Sequence, residues 1–366
     1  MSGPIFTPLV QSLPASVPFV GPETQERAKG APFRARIGAN ESVFGPSPKA
    51  IAAMKKAASE VWQYADPENH DLKHALAAHH GVKPENIVVG EGIDSLLGYL
   101  NRMLVSEGTP VVTSAGAYPT FNYHVSGYGG RLCTVSYRDD REDPGALLDL
   151  VRRENAPLVY FANPDNPMGS WHGAAQVQEM IDAVPEETVL CLDEAYIEFA
   201  PEGTAPPLDV SKPNLIRFRT FSKAHGMAGA RIGYGIAEES LALAFNKVRN
   251  HFGVNRIAVE GALASLADQG YIAEVRQRVA AACERIAAIA RDNGLESLPT
   301  ATNFVAIDCG RDGAYAKAVL DNLVAAGIFV RMPFVEPQNR CIRVSAGRNY
   351  DLDAFAEALP AALAGA

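Results

Sequence analysis

Apolar and polar residues alternate with two different periods along most of the chain from Ser47 onward. Segments such as SPKAIAAMKKAASEV and HDLKHALAAHHG repeat apolar residues every three or four positions, which predicts amphipathic helices. Gly81 is typical of a helix C-terminus. Short runs rich in β-branched residues separate the helical segments, which predicts strands. The predicted strands are NIVVG, PVVTSA, RLCTVSY, LVYFAN, TVLCLDEAY and LIRFRTFS.

The order of these elements predicts the architecture. Strands that alternate with helices are typical of an α/β fold with a mostly parallel sheet covered on both faces. After a break near Asn250 to Asn255, one long amphipathic helix and a set of short strands and helices predict a smaller α+β unit. We therefore expect an irregular, proline-rich N-terminal arm over 1–45 that joins the smaller domain, a large domain over 46–250 and the small domain over 251–366.

Composition narrows the possible classes of protein. A chain of 366 residues is too long for one ordinary core and suits about two domains. The net charge of -9 argues against a nucleic-acid partner, because such partners select basic surfaces. The chain has neither an apolar run of about 18 residues nor an N-terminal signal pattern, so no membrane partner is expected. The five cysteines are scattered, which favours reduced thiols and a cytoplasmic protein.

Polar residues gather at the ends of the predicted strands. Ligands of open parallel sheets bind outside the carboxyl ends of the strands, so these residues are candidates for a site. Each has an ordinary explanation alone, such as a turn, a helix cap, a buried aromatic or a solvated lysine. Together they offer an amine, a carboxylate, an amide, hydroxyls and a helix N-terminus, which a phosphorylated pyridine aldehyde requires. They are Asn163, Asn166, Asp193, Glu194, Tyr196, Thr220, Ser222, Lys223 and the segment GEGID.

These residues also lie in motifs whose order resembles a known family. The chain is similar to the fold-type I, pyridoxal-phosphate-dependent aminotransferases of the histidinol-phosphate aminotransferase-like group. The resemblance runs from about Pro18 to the C-terminus, and it implies pyridoxal 5'-phosphate as the cofactor. The motifs that carry it are ANESVFGPSP, YADPENHDLKHALA, NPDNPMG, LDEAYIEF, TFSKAHGMAGARIGY and NRCIRVSAG.

The resemblance implies a role for each residue around the cofactor ring. Lys223 is expected to form the Schiff base with the cofactor and, once released by substrate, to carry a proton between the substrate and the cofactor. Asp193 is expected to pair with the pyridine nitrogen. Tyr196 and Asn166 are expected to hydrogen-bond the phenolic oxygen.

The resemblance also implies a phosphate site and a stacking partner. Phe121 is expected to stack on the ring, with Tyr118 as the alternative, and core packing explains either aromatic equally well. Tyr64 resembles a tyrosine that reaches the phosphate from the neighbouring subunit, which implies a homodimer with shared sites. The phosphate ligands are expected to be the side chains of Arg231 and Ser222, Thr220 as a weaker candidate, and the backbone amides of Gly92, Ile93 and Asp94.

Two arginines indicate an anionic substrate. Arg343 resembles the arginine that takes the substrate carboxylate, and Arg331 resembles a second arginine near the substrate anion. Two arginines suit a phosphate dianion, so the resemblance favours histidinol phosphate, with glutamate and 2-oxoglutarate as the other pair. Asn40 is expected to contact the substrate as well. The related group usually has a tyrosine where this chain has Phe19, which cannot donate a hydrogen bond and which favours an aromatic or broader amino-acid substrate.

Three further alternatives stay open from the sequence alone. A decarboxylase of the threonine-phosphate type shares the fold and several motifs, and sequence does not show which substrate bond lies perpendicular to the ring. A protein with this fold that only binds the cofactor would be expected to lack Lys223 or to carry an added DNA-binding domain. His70 and His74 share a helix face at metal-ligand spacing, but no third ligand is evident, so no metal is expected.

Overall fold

The structure, a computed structural model, describes residues 4–15 and 19–366. Residues 1–3 and 16–18 lie outside the described residues, and they include Pro18, where the resemblance begins. The helices are α1 (Pro8–Ser12), α2 (Pro22–Lys29), α3 (Pro48–Ala57), α4 (His70–His80), α5 (Ile93–Leu104), α6 (Pro119–Gly127), α7 (Pro144–Glu154), α8 (Ala174–Ala183), α9 (Glu239–Ala244), α10 (Arg256–Leu266), α11 (Gln269–Asp292), α12 (Gly313–Ala325) and α13 (Asn349–Ala364). The strands are β1 (Ala35–Arg36), β2 (Ile87–Gly90), β3 (Pro110–Ser114), β4 (Arg131–Val135), β5 (Leu158–Ala162), β6 (Val189–Asp193), β7 (Leu215–Thr220), β8 (Gly233–Ala237), β9 (Glu296–Ser297), β10 (Phe304–Asp308), β11 (Ile328–Phe329) and β12 (Cys341–Ser345).

A seven-stranded sheet forms the centre of the molecule. Its strand order is β2-β8-β7-β6-β5-β3-β4. The five adjacent strands from β7 to β4 run parallel to one another. Only β8 runs antiparallel, to both β2 and β7. Parallel neighbours need long crossovers, and the helices between the strands supply them. The predicted α/β fold with a mostly parallel sheet is confirmed.

Apolar side chains cover both faces of this sheet. Successive residues of β5 point to opposite faces, so Tyr160 packs with one cluster that includes Phe121 and Phe218. Phe161 packs with the other cluster, beside Leu192. Burial on both faces explains why these strands read as continuous apolar runs.

The N-terminal arm is more regular than predicted. Pro8 and Pro22 each occupy the first turn of a helix, where proline needs no backbone donor, and Gly30 closes α2 with a φ of 73°. The expectation of an irregular segment is therefore wrong for α1, α2 and β1. In β1, Ala35 pairs in parallel with Ile328 of β11, which ties the arm to the C-terminal part of the chain.

The C-terminal part holds an antiparallel sheet of the order β12-β10-β9, packed by α11, α12 and α13. Arg340, beside β12, connects it to the large sheet, because its guanidinium pairs with both oxygens of Asp140 at 2.8 and 3.0 Å and with Asp308 at 2.6 Å. These contacts fix β12, which carries Arg343. The boundaries predicted at residues 45 and 250 stay predictions. Among the helices of the described residues, none has the length and apolarity that a membrane crossing requires.

Candidate active site

The candidate site lies at the carboxyl edge of the parallel strands. Ala162 at the end of β5 pairs with Asp193 at the end of β6, and Asp193 pairs with Phe218 of β7. The polar residues that follow these strands therefore emerge side by side, as the sequence predicted. Lys223 lies three residues after the last residue of β7.

Asp193 is a buried carboxylate with defined partners. It is 5% exposed, and its two oxygens accept hydrogen bonds from the Tyr160 hydroxyl at 2.7 Å and from the Ala195 backbone at 2.9 Å. Burial raises the pKa of Asp193 to about 6, while the bond from Tyr160, the bond from Ala195 and the charge of Lys223 oppose the rise. Sequence reasoning missed Tyr160, because it stands inside a strand that reads as plain core.

Lys223 reaches across to the N-terminal arm. Its Nζ donates to the backbone oxygen of Asn40 at 3.2 Å and lies 5.4 Å from the centre of the Tyr196 ring. The Asn40 amide donates to the Tyr196 hydroxyl at 3.1 Å and accepts from Ser345 at 2.9 Å. Asn40 has a φ of 55°, a left-handed conformation that asparagine tolerates better than most residues. The structure thus brings the predicted Lys223, Tyr196 and Asn40 together and adds Ser345, which the sequence did not single out.

The start of α5 forms a cradle with Arg231. Gly92 precedes the helix with a φ of 84°, and a Cβ at this position would lie 2.5 Å from the Arg231 Nη2 atom. The same Nη2 lies 3.5 Å from Asp94, whose other oxygen accepts from the Tyr118 hydroxyl at 2.7 Å. The backbone amides of Ile93 and Asp94 thus stand beside a guanidinium, which suits an anion. The predicted Gly92 amide instead donates to the Gly90 oxygen at 2.8 Å.

Two further predicted phosphate ligands, Thr220 and Ser222, lie at the end of β7 and just after it. The Thr220 hydroxyl accepts from the backbone amide of Ser222 at 3.0 Å, and both side chains are buried. Gly233 of β8 passes so close to the helix start that an added Cβ would lie 3.0 Å from the Ile93 nitrogen. The glycine-rich sequence after Lys223 therefore serves close backbone approach.

The structure separates the two candidates for the stacking aromatic. Phe121 is fully buried, and its ring stacks on Tyr160 with centroids 4.5 Å apart and planes 22° apart. Tyr118 is only partly buried and reaches Asp94 in the cradle. Burial and the neighbouring Asp94 charge raise the pKa of Tyr118 well above its usual value, so its hydroxyl stays protonated. Stacking stays a prediction for both residues, and exposure favours Tyr118.

Arg343 is half-buried, and its guanidinium has a donor that remains unpaired among the described residues. It donates to the Asn166 side chain and, at 3.3 Å, to the Gly38 oxygen, while its Nε is buried without a partner within 4–15 and 19–366. Burial lowers the pKa of Arg343. The predicted Asn166 is thus placed against the predicted substrate arginine.

Arg331 lies beside it on a neighbouring backbone. The Arg331 amide donates to the Arg343 oxygen at 3.1 Å, and burial, with the charge of Arg343, lowers the pKa of Arg331 to about 10. Its Nη2 donates to the Val20 oxygen, and the Phe19 ring lies 4.2 Å from its guanidinium carbon. Neither arginine forms a salt bridge with a carboxylate of the described residues, so both guanidinium groups keep donors that suit a substrate anion.

Tyr64 and the two histidines lie on the surface. Tyr64 is 76% exposed, and its ring packs on Phe252 with centroids 4.6 Å apart. His70 and His74 have ring centroids 4.0 Å apart on the exposed face of α4. In the part of the chain that the structure describes, no three metal-ligating side chains are grouped as a metal site.

The arrangement fits the cofactor that the sequence implies. The donor set comprises a carboxylate at a strand end, a lysine amine, and an arginine beside a helix N-terminus whose glycine leaves no room for a side chain. These are the groups that a pyridine nitrogen, an aldehyde and a phosphate would take.

The fold and the site together are those of a fold-type I aminotransferase. The chain matches the family model "Aminotransferase class I and II" over residues 36–359, and it belongs to this family. It is 36% identical over 335 residues to a histidinol-phosphate aminotransferase of Anaeromyxobacter sp., covering 90% of each chain. It is 34% identical over 333 residues to histidinol-phosphate aminotransferase 2 of Pseudomonas fluorescens, covering 90% of this chain and 89% of the relative.

A solved structure is similar over nearly the whole length. The histidinol-phosphate aminotransferase of Sinorhizobium meliloti, in complex with pyridoxal-5'-phosphate, is 57% identical, with a TM-score of 0.97. The match covers 99% of this chain and 98% of that chain.

Proposed function

We propose that this chain is a pyridoxal-phosphate-dependent aminotransferase that moves an amino group between L-histidinol phosphate and 2-oxoglutarate. The observation that carries the substrate is the half-buried pair Arg331 and Arg343, which lies beside Asn166 and whose Nε atoms are buried without a partner among the described residues. Phosphate and carboxylate both match a guanidinium fork, so the same pair serves the phosphorylated donor and glutamate in turn. The relatives named as histidinol-phosphate aminotransferases support this choice.

The residues divide the work of the reaction. Bound pyridoxal phosphate would supply an electron sink for the charge that develops on the substrate α-carbon. Lys223 Nζ accepts the proton from that carbon, and the Asn40 oxygen orients the amine. Asp193 would hold a proton on the ring nitrogen, and Tyr196 with Asn166 would hold the phenolic oxygen. Arg231, Ser222, Thr220 and the α5 amides would hold the phosphate.

One observation favours a second substrate class. Phe19 lies over the Arg331 guanidinium, and its ring offers an apolar surface without a hydroxyl donor. An aromatic amino acid would use this surface through ring contacts, with its carboxylate on Arg343. An aromatic aminotransferase is therefore the second candidate.

A single-turnover measurement separates these candidates. Protein loaded with cofactor is mixed with histidinol phosphate, phenylalanine or glutamate, and the loss of the visible cofactor absorbance is followed. We expect fast loss with histidinol phosphate and glutamate and slow loss with phenylalanine. Faster loss with phenylalanine than with histidinol phosphate would select the aromatic aminotransferase. Release of carbon dioxide from a phosphorylated amino acid, without a 2-oxo product, would select a decarboxylase.

We further propose a homodimer in which Tyr64 completes the site of the neighbouring subunit. Its high exposure and its pairing with Phe252 give an aromatic surface in the single chain, which supports burial by a second copy. The test combines two inactive proteins, Lys223→Ala and Tyr64→Ala, as co-expressed, differently tagged chains. If Tyr64 acts across the interface, the mixed dimer holds one intact site and regains activity. Equal inactivity of mixed and single proteins would place Tyr64 in its own chain's site.

The cysteines support a reducing compartment. All five are buried, and none forms a disulfide. We therefore propose that the enzyme works in the cytoplasm.

A further inference from the structure

We propose that Tyr160 is a positioning residue for the reaction, whose hydroxyl keeps the Asp193 carboxylate ionised and in a fixed orientation. The inference rests on the proposed function, because Asp193 acts on the ring nitrogen of the cofactor. Nothing in the family motifs points to Tyr160, which lies in β5, three residues before Asn163 opens the turn that carries Asn166.

The geometry of the two strands makes this contact. Tyr160 pairs with Cys191 in the β5–β6 register, two residues before Asp193 on the same face of the sheet. Its hydroxyl therefore reaches forward along the neighbouring strand and donates to Asp193 at 2.7 Å. The other carboxylate oxygen is held by the Ala195 amide, so both oxygens have a fixed donor.

Tyr160 has no freedom to leave this position. It is 1% exposed, and its ring is stacked on Phe121, which is itself fully buried. Burial and the nearby Asp193 charge raise the pKa of Tyr160 well above its usual value. The hydroxyl therefore keeps its proton at neutral pH and remains a donor to Asp193.

This donor matters because burial works against the ionised carboxylate. The groups that face Asp193 from the packed elements are Tyr160 of β5, Lys223 after β7 and Asp94 of α5. Lys223 favours ionisation of Asp193, and the charge of Asp94 opposes it. Glu142 is also buried nearby, and burial raises its pKa well above the usual value, which disfavours its charged form. Since Lys223 becomes committed to the cofactor aldehyde, Tyr160 is the neutral donor whose support does not change during the reaction.

The test uses Tyr160→Phe, which keeps the ring on Phe121 and removes only the hydroxyl. Binding of pyridoxamine 5'-phosphate, which has the ring and phosphate but no aldehyde, is measured by fluorescence from pH 5 to 8.5. We expect the pH midpoint for binding to move up by about one unit, which is about tenfold weaker binding below the midpoint. Tyr234→Phe is the matched control, since it removes another buried hydroxyl, bonded to His80 at 2.9 Å, and should leave the midpoint unchanged.

A double variant excludes a merely structural effect. In an Asp193→Asn background, Tyr160→Phe should cause no further change in binding, because the charge that it supports is gone. Independent, additive losses would overturn the inference, as would an unchanged midpoint in Tyr160→Phe. If Tyr160→Phe does not fold, 3-fluorotyrosine at position 160 keeps the ring and strengthens the donor, and the midpoint should then fall. Wild-type protein that binds neither form of the cofactor would instead refute the proposed function.

Discussion

The Nζ of Lys223 donates a hydrogen bond to the backbone oxygen of Asn40 at 3.2 Å, across 183 residues of sequence. Asn303 donates to the same oxygen at 3.0 Å. Asn40 follows β1, which pairs with β11, so the partner of the lysine belongs to a segment tied to the C-terminal part of the chain. The position of the amine therefore depends on how the arm and the C-terminal sheet are assembled.

Replacing Asn40 separates the role of its side chain from that of its backbone. Asn40→Gly keeps the left-handed backbone and the oxygen that faces Lys223, but it removes the amide that contacts Tyr196 and Ser345. We expect about a tenfold loss of kcat and a loss of about 1 kcal/mol in the free energy of unfolding, because one buried hydrogen-bond network is lost. Steady-state kinetics and thermal unfolding measure both quantities.

Asn40→Ala provides the comparison. It removes the same amide and also forces a Cβ residue without a polar side chain into a φ of 55°. We expect a further loss of about 1 kcal/mol in the free energy of unfolding. Equal stability of the glycine and alanine variants would contradict the left-handed conformation of this residue.

Lys223 should be the single attachment point of the cofactor. Borohydride reduction of the loaded protein should leave the cofactor mass on the peptide that contains Lys223. In Lys223→Ala this mass should disappear and kcat should fall at least 10³-fold, since both attachment and proton transfer are lost. Lys247→Ala, at an exposed position, is the control and should keep both label and activity. A label that persists on Lys223→Ala would refute the assignment.

Arg331 should distinguish the phosphorylated donor from glutamate. Arg331→Gln leaves Arg343 as the only arginine of the pair, and we expect kcat/KM for histidinol phosphate to fall about 100-fold. The fall for glutamate should be smaller, because one guanidinium suffices for a carboxylate. The stability should not fall much, since Arg331 has no carboxylate partner to leave unpaired within the described residues. Equal losses for both substrates would contradict a phosphate role for Arg331.

In the cofactor-free protein, the free energy of unfolding should depend on pH because the Asp193 carboxyl is buried. Its pKa is about 6 in the folded protein against a usual 3.8, so the folded state binds this proton more tightly than the unfolded state. The stability that Asp193 contributes is therefore full below about pH 4 and is lost as the pH rises to about 6. Relative to Asp193→Asn, wild type should lose about 3 kcal/mol of unfolding free energy between pH 4 and 7.

Urea unfolding at pH 4, 5, 6, 7 and 8 measures this difference. A constant offset between the two proteins is expected, because asparagine has only one oxygen for the donors Tyr160 and Ala195. The change of the difference with pH is the informative quantity. Glu239→Gln, at an exposed acid, should run parallel to wild type. Parallel curves for Asp193→Asn would mean that the carboxyl titrates normally.

The sequence predicted the elements whose pattern is strong. Helices α3, α4 and α11 and strands β5 to β7 lie where their sequence patterns predicted them. It missed β8, because Gly233 and Gly235 interrupt its apolar pattern. These glycines are required by packing, since a Cβ on Gly235 would lie 2.8 Å from the Phe218 ring. Such close approach is a property of the assembled sheet, and no local pattern reveals it.

The residues of the site likewise include some that the sequence predicted and some that it missed. Residues carried by short motifs, such as Lys223 and Asp193, are visible in the sequence because their spacing is fixed by one strand end. Tyr160 was missed because its role depends on the register between two strands. Phe121 lies in the core and Tyr118 reaches the cradle. Which aromatic takes which place depends on side-chain packing, and the sequence of the segment does not show it.

The link between the arm and β12 has a consequence for synthesis on the ribosome. Asn40 and its partner Ser345 are 305 residues apart, so the arm leaves the ribosome long before the strand that receives it. At ordinary translation rates this delay is roughly 15–60 s. The active site of this enzyme is thus completed only after Ser345 has left the ribosome and met the waiting arm.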